Sequence, residues 1–82
     1  MNPITVFFFA NLRDRTGMRS AHIEIPAEAT VANLRTILSE KFISLQGVVD
    51  GSLVAINHEY AADNSPIPAG AEVALFPAVS GG

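Results

Sequence analysis

Two glycines, Gly81 and Gly82, close the sequence in VALFPAVSGG (Val73–Gly82) and set the first question of chemistry. An end without side chains can thread a narrow channel, and its one distinctive group is the α-carboxylate of Gly82. A carboxylate is a poor acyl donor until ATP converts it to an acyl-adenylate. A thiol, an amine or a sulfur donor can then take the acyl group, the last leaving a thiocarboxylate. From Pro77 to Gly82 the extended chain reaches roughly 20 Å at about 3.3–3.6 Å per residue. Glycine loses more backbone entropy on ordering than any other residue. Residues 77–82 are therefore expected to form a flexible tail that acquires a use only inside another protein. On the dipeptide alone, an idle end or a cloning remnant is the favoured reading; the strand, the proline and the pattern of elements that precede it turn it the other way.

The rest of the sequence holds few groups that react. It contains no cysteine, which excludes disulfides, thiolate metal sites, a nucleophilic thiol and a protein-borne persulfide. A zinc site would need carboxylates beside His22 and His58, the only histidines, and no spacing suggests one. Ser20 and Ser80 have no neighbouring base, so no hydrolytic triad is expected. Lys41 is the only lysine, which disfavours a modifier that builds polymers on its own lysines. His22 is expected to point outward on a strand. His58 and Glu59 stand beside Tyr60 and are read as tuning a surface rather than reacting.

The elements that must present this tail follow from hydrophobic periodicity. ITVFFFA (Ile4–Ala10) is β-branched and aromatic, a strand. NLRDRTG predicts one helical turn closed by Gly17 in the left-handed conformation. AHIEI (Ala21–Ile25) alternates as a second strand, and Pro26 stops it. TVANLRTILSEKF (Thr30–Phe42) is the main helix, with Thr30 as N-cap and one apolar stripe of Val31, Leu34, Ile37, Leu38 and Phe42. Loops around Gly47 and Asp50–Gly51 lead to a strand over Leu53–Asn57. The Pro- and Gly-punctuated DNSPIPAGA then leads to a last strand over Glu72–Phe76. The first and last strands are the most continuously apolar, which suits central, adjacent and parallel positions joined by a long crossover. The expected class is α+β: a ubiquitin-like β-grasp over residues 1–76, a mixed sheet packed on one main helix.

One helix covers one face of a sheet. Strand parity puts Val6, Phe8, Val73 and Leu75 on the helix side. Phe7, Phe9 and Phe76 then lie on a face that nothing in the chain covers, with Tyr60 close enough to join them. Contiguous exposed apolar surface marks an interface. Half-exposed aromatics under a loop, or a parity shifted by one residue, are the alternatives.

FFANLRDRTG (Phe8–Gly17), INHEYA (Ile56–Ala61) and PIPAGAEVALFPAVSGG (Pro66–Gly82) resemble the sulfur-carrying small subunits of molybdopterin synthase. The likeness covers the whole chain. That family often has a proline at the position of Ala78 and an acid at that of Ala71, departures that leave the terminal chemistry untouched. The resemblance implies that a ubiquitin-activating-type adenylyltransferase, using ATP and magnesium, adenylates Gly82. A sulfur donor then makes the thiocarboxylate, and the chain itself binds no cofactor or metal. The charged carrier docks on the large catalytic subunit in a heterotetramer and gives sulfur to cyclic pyranopterin monophosphate to build the dithiolene. The chain is thus a sulfur-donating subunit of a transferase whose catalytic groups lie on the partner. The resemblance implies Gly82 and Gly81 for the chemistry and puts Phe9, Arg13, Tyr60 and Phe76 at the partner surface; strand parity adds Phe7, and the tail adds Pro77 and Val79. Arg13 read by itself is equally a solvated loop residue.

Charged residues make up 16% of the chain, below the roughly 25% of an average domain, which hints at a covered surface. The net charge of −3 argues against nucleic acid, and no apolar run approaches the ~20 residues of a membrane span. The start lacks the basic and small-residue features of a secretory signal, so a cytoplasmic location is expected. Competing functions are a carrier for thiamine thiazole synthesis, a ubiquitin-like modifier of lysines, and a β-grasp binding module with an inert tail.

Overall fold

A computed structural model of the chain describes residues 1–78. Five strands form a single sheet: β1 (Asn2–Phe8), β2 (Ser20–Ile25), β3 (Leu53–Ile56), β4 (Glu59–Tyr60) and β5 (Glu72–Phe76). Their order is β2-β1-β5-β3-β4, with β1 and β5 parallel and the other pairings antiparallel. Helix α1 (Asn11–Thr16) follows β1, and α2 (Val31–Lys41) crosses the inner face. Two single 3₁₀ turns, Ile43–Leu45 and Val49–Gly51, connect α2 to β3. The expected parallel pairing of the first and last strands is present. The first strand, however, lies two residues earlier than its composition suggests, because Ala10 turns the chain with φ 53° and ψ −128°. Strand β4 was not expected.

The core sits between the sheet and α2. Val6, Phe8, Val73 and Leu75 are buried from the sheet; Val31, Leu34 and Leu38 meet them from the helix. The Phe8 ring meets Phe42 edge-on at 5.6 Å, the geometry that aromatic quadrupoles favour. The α2 start is a reciprocal cap: the Thr30 hydroxyl accepts from the Asn33 N–H, and the Asn33 side-chain oxygen accepts from the Thr30 N–H at 2.9 Å. Gly17 ends α1 at φ 73°, its N–H bonded to the Arg13 carbonyl, as its position predicts. Among the described residues, no helix is long and apolar enough to cross a membrane.

Arg35 ties α2 to the connection beyond it. Its Nη1 donates to the Val49 carbonyl at 2.6 Å and to Ser52 Oγ at 3.1 Å, while Nε meets Asp63 at 3.0 Å. Arg35 is shielded, whereas the Asp63 side chain is 67% exposed. The Arg35→Ala variant is accordingly expected to lose about 1–2 kcal/mol of stability in chemical denaturation, because the Val49 carbonyl loses a charged donor. Asp63→Ala should cost less than about 1 kcal/mol, as exposed ion pairs do. Equal losses from the two variants would contradict this ranking.

Candidate docking surface

The face of the sheet away from α2 carries the alternate residues of every strand. Register places Phe7 opposite Ala74, Ala74 opposite Ala55, and Ala55 opposite Tyr60. One row across four strands therefore reads large, small, small, large. The two alanines form the floor of a trough, and the aromatic rings form its walls. In the neighbouring row Phe76 pairs with Leu53, which is 45% exposed and extends the apolar surface.

Aromatic contacts brace one wall. Phe9 stacks on Phe76 with centroids 4.7 Å apart and planes 15° from parallel, and Tyr60 leans toward Phe76 at 6.4 Å. The trough encloses about 390 Å³, with His58 and Glu72 also among its lining residues. His58 Nε2 lies 3.7 Å from the Glu72 carboxylate, and both side chains are largely solvated. Tyr60 is 75% exposed and Phe9 42% exposed, so the rings stand open to a partner. Nothing among the described residues covers this face, as strand parity predicted.

The two-residue β3–β4 turn sets where Tyr60 stands. Asn57 and His58 occupy positive φ, 49° and 75°, as tight hairpins demand. Asn57 then locks this turn to β5: its N–H donates to the Glu72 carbonyl at 2.8 Å, and its side-chain oxygen accepts the Glu72 N–H at 2.9 Å. His22 points outward, as expected, with Nδ1 3.0 Å from the Thr5 hydroxyl.

Of the residues singled out from sequence, the structure gathers Phe7, Phe9, Tyr60 and Phe76 around one trough. Arg13 is exposed on α1 and is not among the trough's lining residues; among the described residues its side chain makes no hydrogen bond or ion pair. Pro77 is half-buried in a second, smaller groove of about 180 Å³, between Asn11 and Leu12 on one side and Val48 and Gly51 on the other. Val79, Gly81 and Gly82 lie outside the described residues. Sequence reading missed Leu53, Ala55 and Ala74. Parity within β3 and β5 assigns all three to the outer face, but only the register between the two strands sets Ala55 against Ala74 and makes the depression.

The chain is thus a β-grasp sheet with an open aromatic trough on its outer face, its last strand leading into the terminal segment. Among the described residues, those lining the trough include no nucleophile beside a base and no cluster of metal ligands. The chain belongs to the ThiS family, whose model matches residues 6–82. It is similar to the molybdopterin synthase sulfur carrier subunit of Caenorhabditis briggsae, 32% identical over 84 residues covering 100% of both chains. Small archaeal modifier protein 1 of Haloferax volcanii is 37% identical over 82 residues, covering 90% of this chain and 94% of that one. A solved complex of subunits 1 and 2 of molybdopterin-converting factor from Helicobacter pylori contains the same fold. It matches at TM-score 0.69 and 26% identity, covering 98% of this chain and 99% of that one.

Proposed function

We propose that the chain is the sulfur-carrying small subunit of a molybdopterin synthase. The observation that carries this reading is the full-length similarity to a subunit of that name, on a chain whose aromatic trough adjoins its last strand. The Helicobacter pylori complex of subunits 1 and 2 supports a large-subunit partner. In this reading the partner covers Phe7, Phe9, Tyr60 and Phe76, and the segment after Pro77 enters its active site.

The chemistry resides on Gly82, with Gly81 as the slender approach to it. An adenylyltransferase of the ubiquitin-activating type joins the carboxylate to AMP from ATP, with magnesium, releasing pyrophosphate. A sulfur donor displaces AMP and leaves a thiocarboxylate. On the large subunit that sulfur passes to cyclic pyranopterin monophosphate, and two carriers are consumed for each dithiolene. The carrier contributes no catalytic side chain and holds neither ATP nor metal itself. The cytoplasm is the compartment that fits this role.

Intact mass tests the reading. After co-expression with its activating enzyme and a sulfur source, the chain is expected to gain the oxygen-to-sulfur mass difference, and the gain should vanish on adding the large subunit and the pterin precursor. An unchanged mass under these conditions would sink it. The similarity to small archaeal modifier protein 1 favours a second reading, conjugation to amines of other proteins. Isopeptide adducts of the Gly82 end on lysines in cell extract would select that outcome.

A further inference from the structure

One carboxylate, that of Glu72, lines the aromatic trough. Strand β5 turns Glu72, Ala74 and Phe76 to the outer face, so the carboxylate and the Phe76 ring stand at opposite ends with Ala74 between them. Four residues of strand separate the two ends by about 13 Å. Glu72 is fixed at its end, since its N–H and its carbonyl each bond Asn57. On the neighbouring strand Thr5 stands opposite, with its hydroxyl already engaged by His22.

Among the described residues, no arginine or lysine meets this carboxylate. All five lie elsewhere: Arg13 and Arg15 on α1, Arg35 and Lys41 on α2, and Arg19 just before β2. None of them lines the trough. His58 Nε2, 3.7 Å away, is beyond hydrogen-bond distance. In the free chain water solvates the charge, because the Glu72 side chain is 57% exposed. A partner that covers the trough removes that water. An ion taken out of water without a counter-charge costs several kcal/mol, enough to cancel much of what the aromatic rings contribute. The covering surface must therefore bring a cation to Glu72.

The shape of the trough selects which cation. The floor beside Glu72 is Ala74 and Ala55, walled by Phe7 and Tyr60, an apolar bed for an aliphatic stem. Arginine lays its stem on such surface, stacks its planar head on aromatic rings and grips a carboxylate through two parallel N–H donors. Lysine offers a compact ammonium that holds its water more tightly. We propose that the large-subunit partner inserts an arginine into the trough, its stem across the two alanines and its guanidinium on Glu72. The identity of the partner rests on the sulfur-carrier reading. Glu72 is then a specificity-determining residue, because a purely apolar surface would meet the rings but strand the carboxylate.

Titration of the large synthase subunit with three forms of the chain gives the test. Glu72→Gln keeps the size of the side chain and removes its charge. It is expected to bind at least about 30-fold more weakly than native, the loss when one member of a buried ion pair is left alone. Glu59→Gln removes the same charge from β4, at an exposed residue that does not line the trough, and should bind within twofold of native. Both variants should melt as native does, since both side chains are exposed. Phenylglyoxal, which modifies arginines, should spare in the native complex at least one arginine that it modifies in the free large subunit. Binding of Glu72→Gln within threefold of native would overturn the proposal. So would an equal loss in Glu59→Gln, the mark of a diffuse charge effect, or the absence of any protected arginine. Failure of the native chain to bind at all would instead refute the sulfur-carrier reading, and this inference with it.

Discussion

A chain lacking Gly82 is expected to unfold at the same temperature as the full chain and to transfer no measurable sulfur. The two halves of this result have separate causes. Every buried apolar residue of the core falls between Ile4 and Leu75, so shortening the end by one residue subtracts nothing from the packing described. Function fails because the truncated chain still ends in a carboxylate, on Gly81, but presents it about 3.5 Å short of its place. A misplacement of about 1 Å already costs on the order of 10²-fold in rate. The loss should therefore exceed 100-fold both for adenylation and for single-turnover sulfur transfer. Gly82→Ala is a milder probe: it keeps the reach and adds one methyl group at the last residue. Full transfer by the truncated chain, measured with a truncation that still melts as native, would end the proposal that the last carbonyl carries sulfur.

How much of this was legible in the sequence depended on the signal each residue carries. Parity along Ile4–Phe9 and Val73–Phe76 separates a buried set from an exposed set, because side chains alternate strictly and both strands are long enough to show it. The aromatic face was therefore readable before any fold. Strand β4 was not: two residues carry no period, and its turn is Asn-His rather than the Asn-Gly that announces a tight hairpin. The trough's depth was also hidden, since it depends on Ala55 facing Ala74 across β3 and β5, a register no single strand reveals. The reversal at Ala10 was invisible for a related reason. Nothing in an alanine signals positive φ; the demand comes from Leu12 and Leu75, which fix the chain on either side. Arg13 shows the reverse case, a residue suggested by resemblance that the fold places on α1 without tying it to the trough.

Phe76→Ala is expected to abolish tight docking while leaving the domain folded. Phe76 is the ring shared by both aromatic contacts, to Phe9 at 4.7 Å and to Tyr60 at 6.4 Å, and it is only half-buried in the free chain. Its truncation thus removes the centre of the patch rather than a rim residue. Central aromatic anchors carry about 2–4 kcal/mol of an interface, so affinity for the large subunit should fall by roughly 30-fold to 1,000-fold. Stability should fall by much less than in Phe8→Ala, where a ring 2% exposed leaves a cavity costing about 3–5 kcal/mol. That penalty is a large part of the 5–15 kcal/mol that typically holds a domain together. Ile43→Ala supplies the complementary control, since Ile43 is 79% exposed on a 3₁₀ turn and is not among the residues that line the trough. Titration of the three variants separates the possibilities. If affinity drops only with Phe76→Ala among the variants that stay folded, the trough is the docking face. If Ile43→Ala weakens binding while Phe76→Ala binds within threefold of native, the partner sits elsewhere and the outer face of the sheet loses its assigned role.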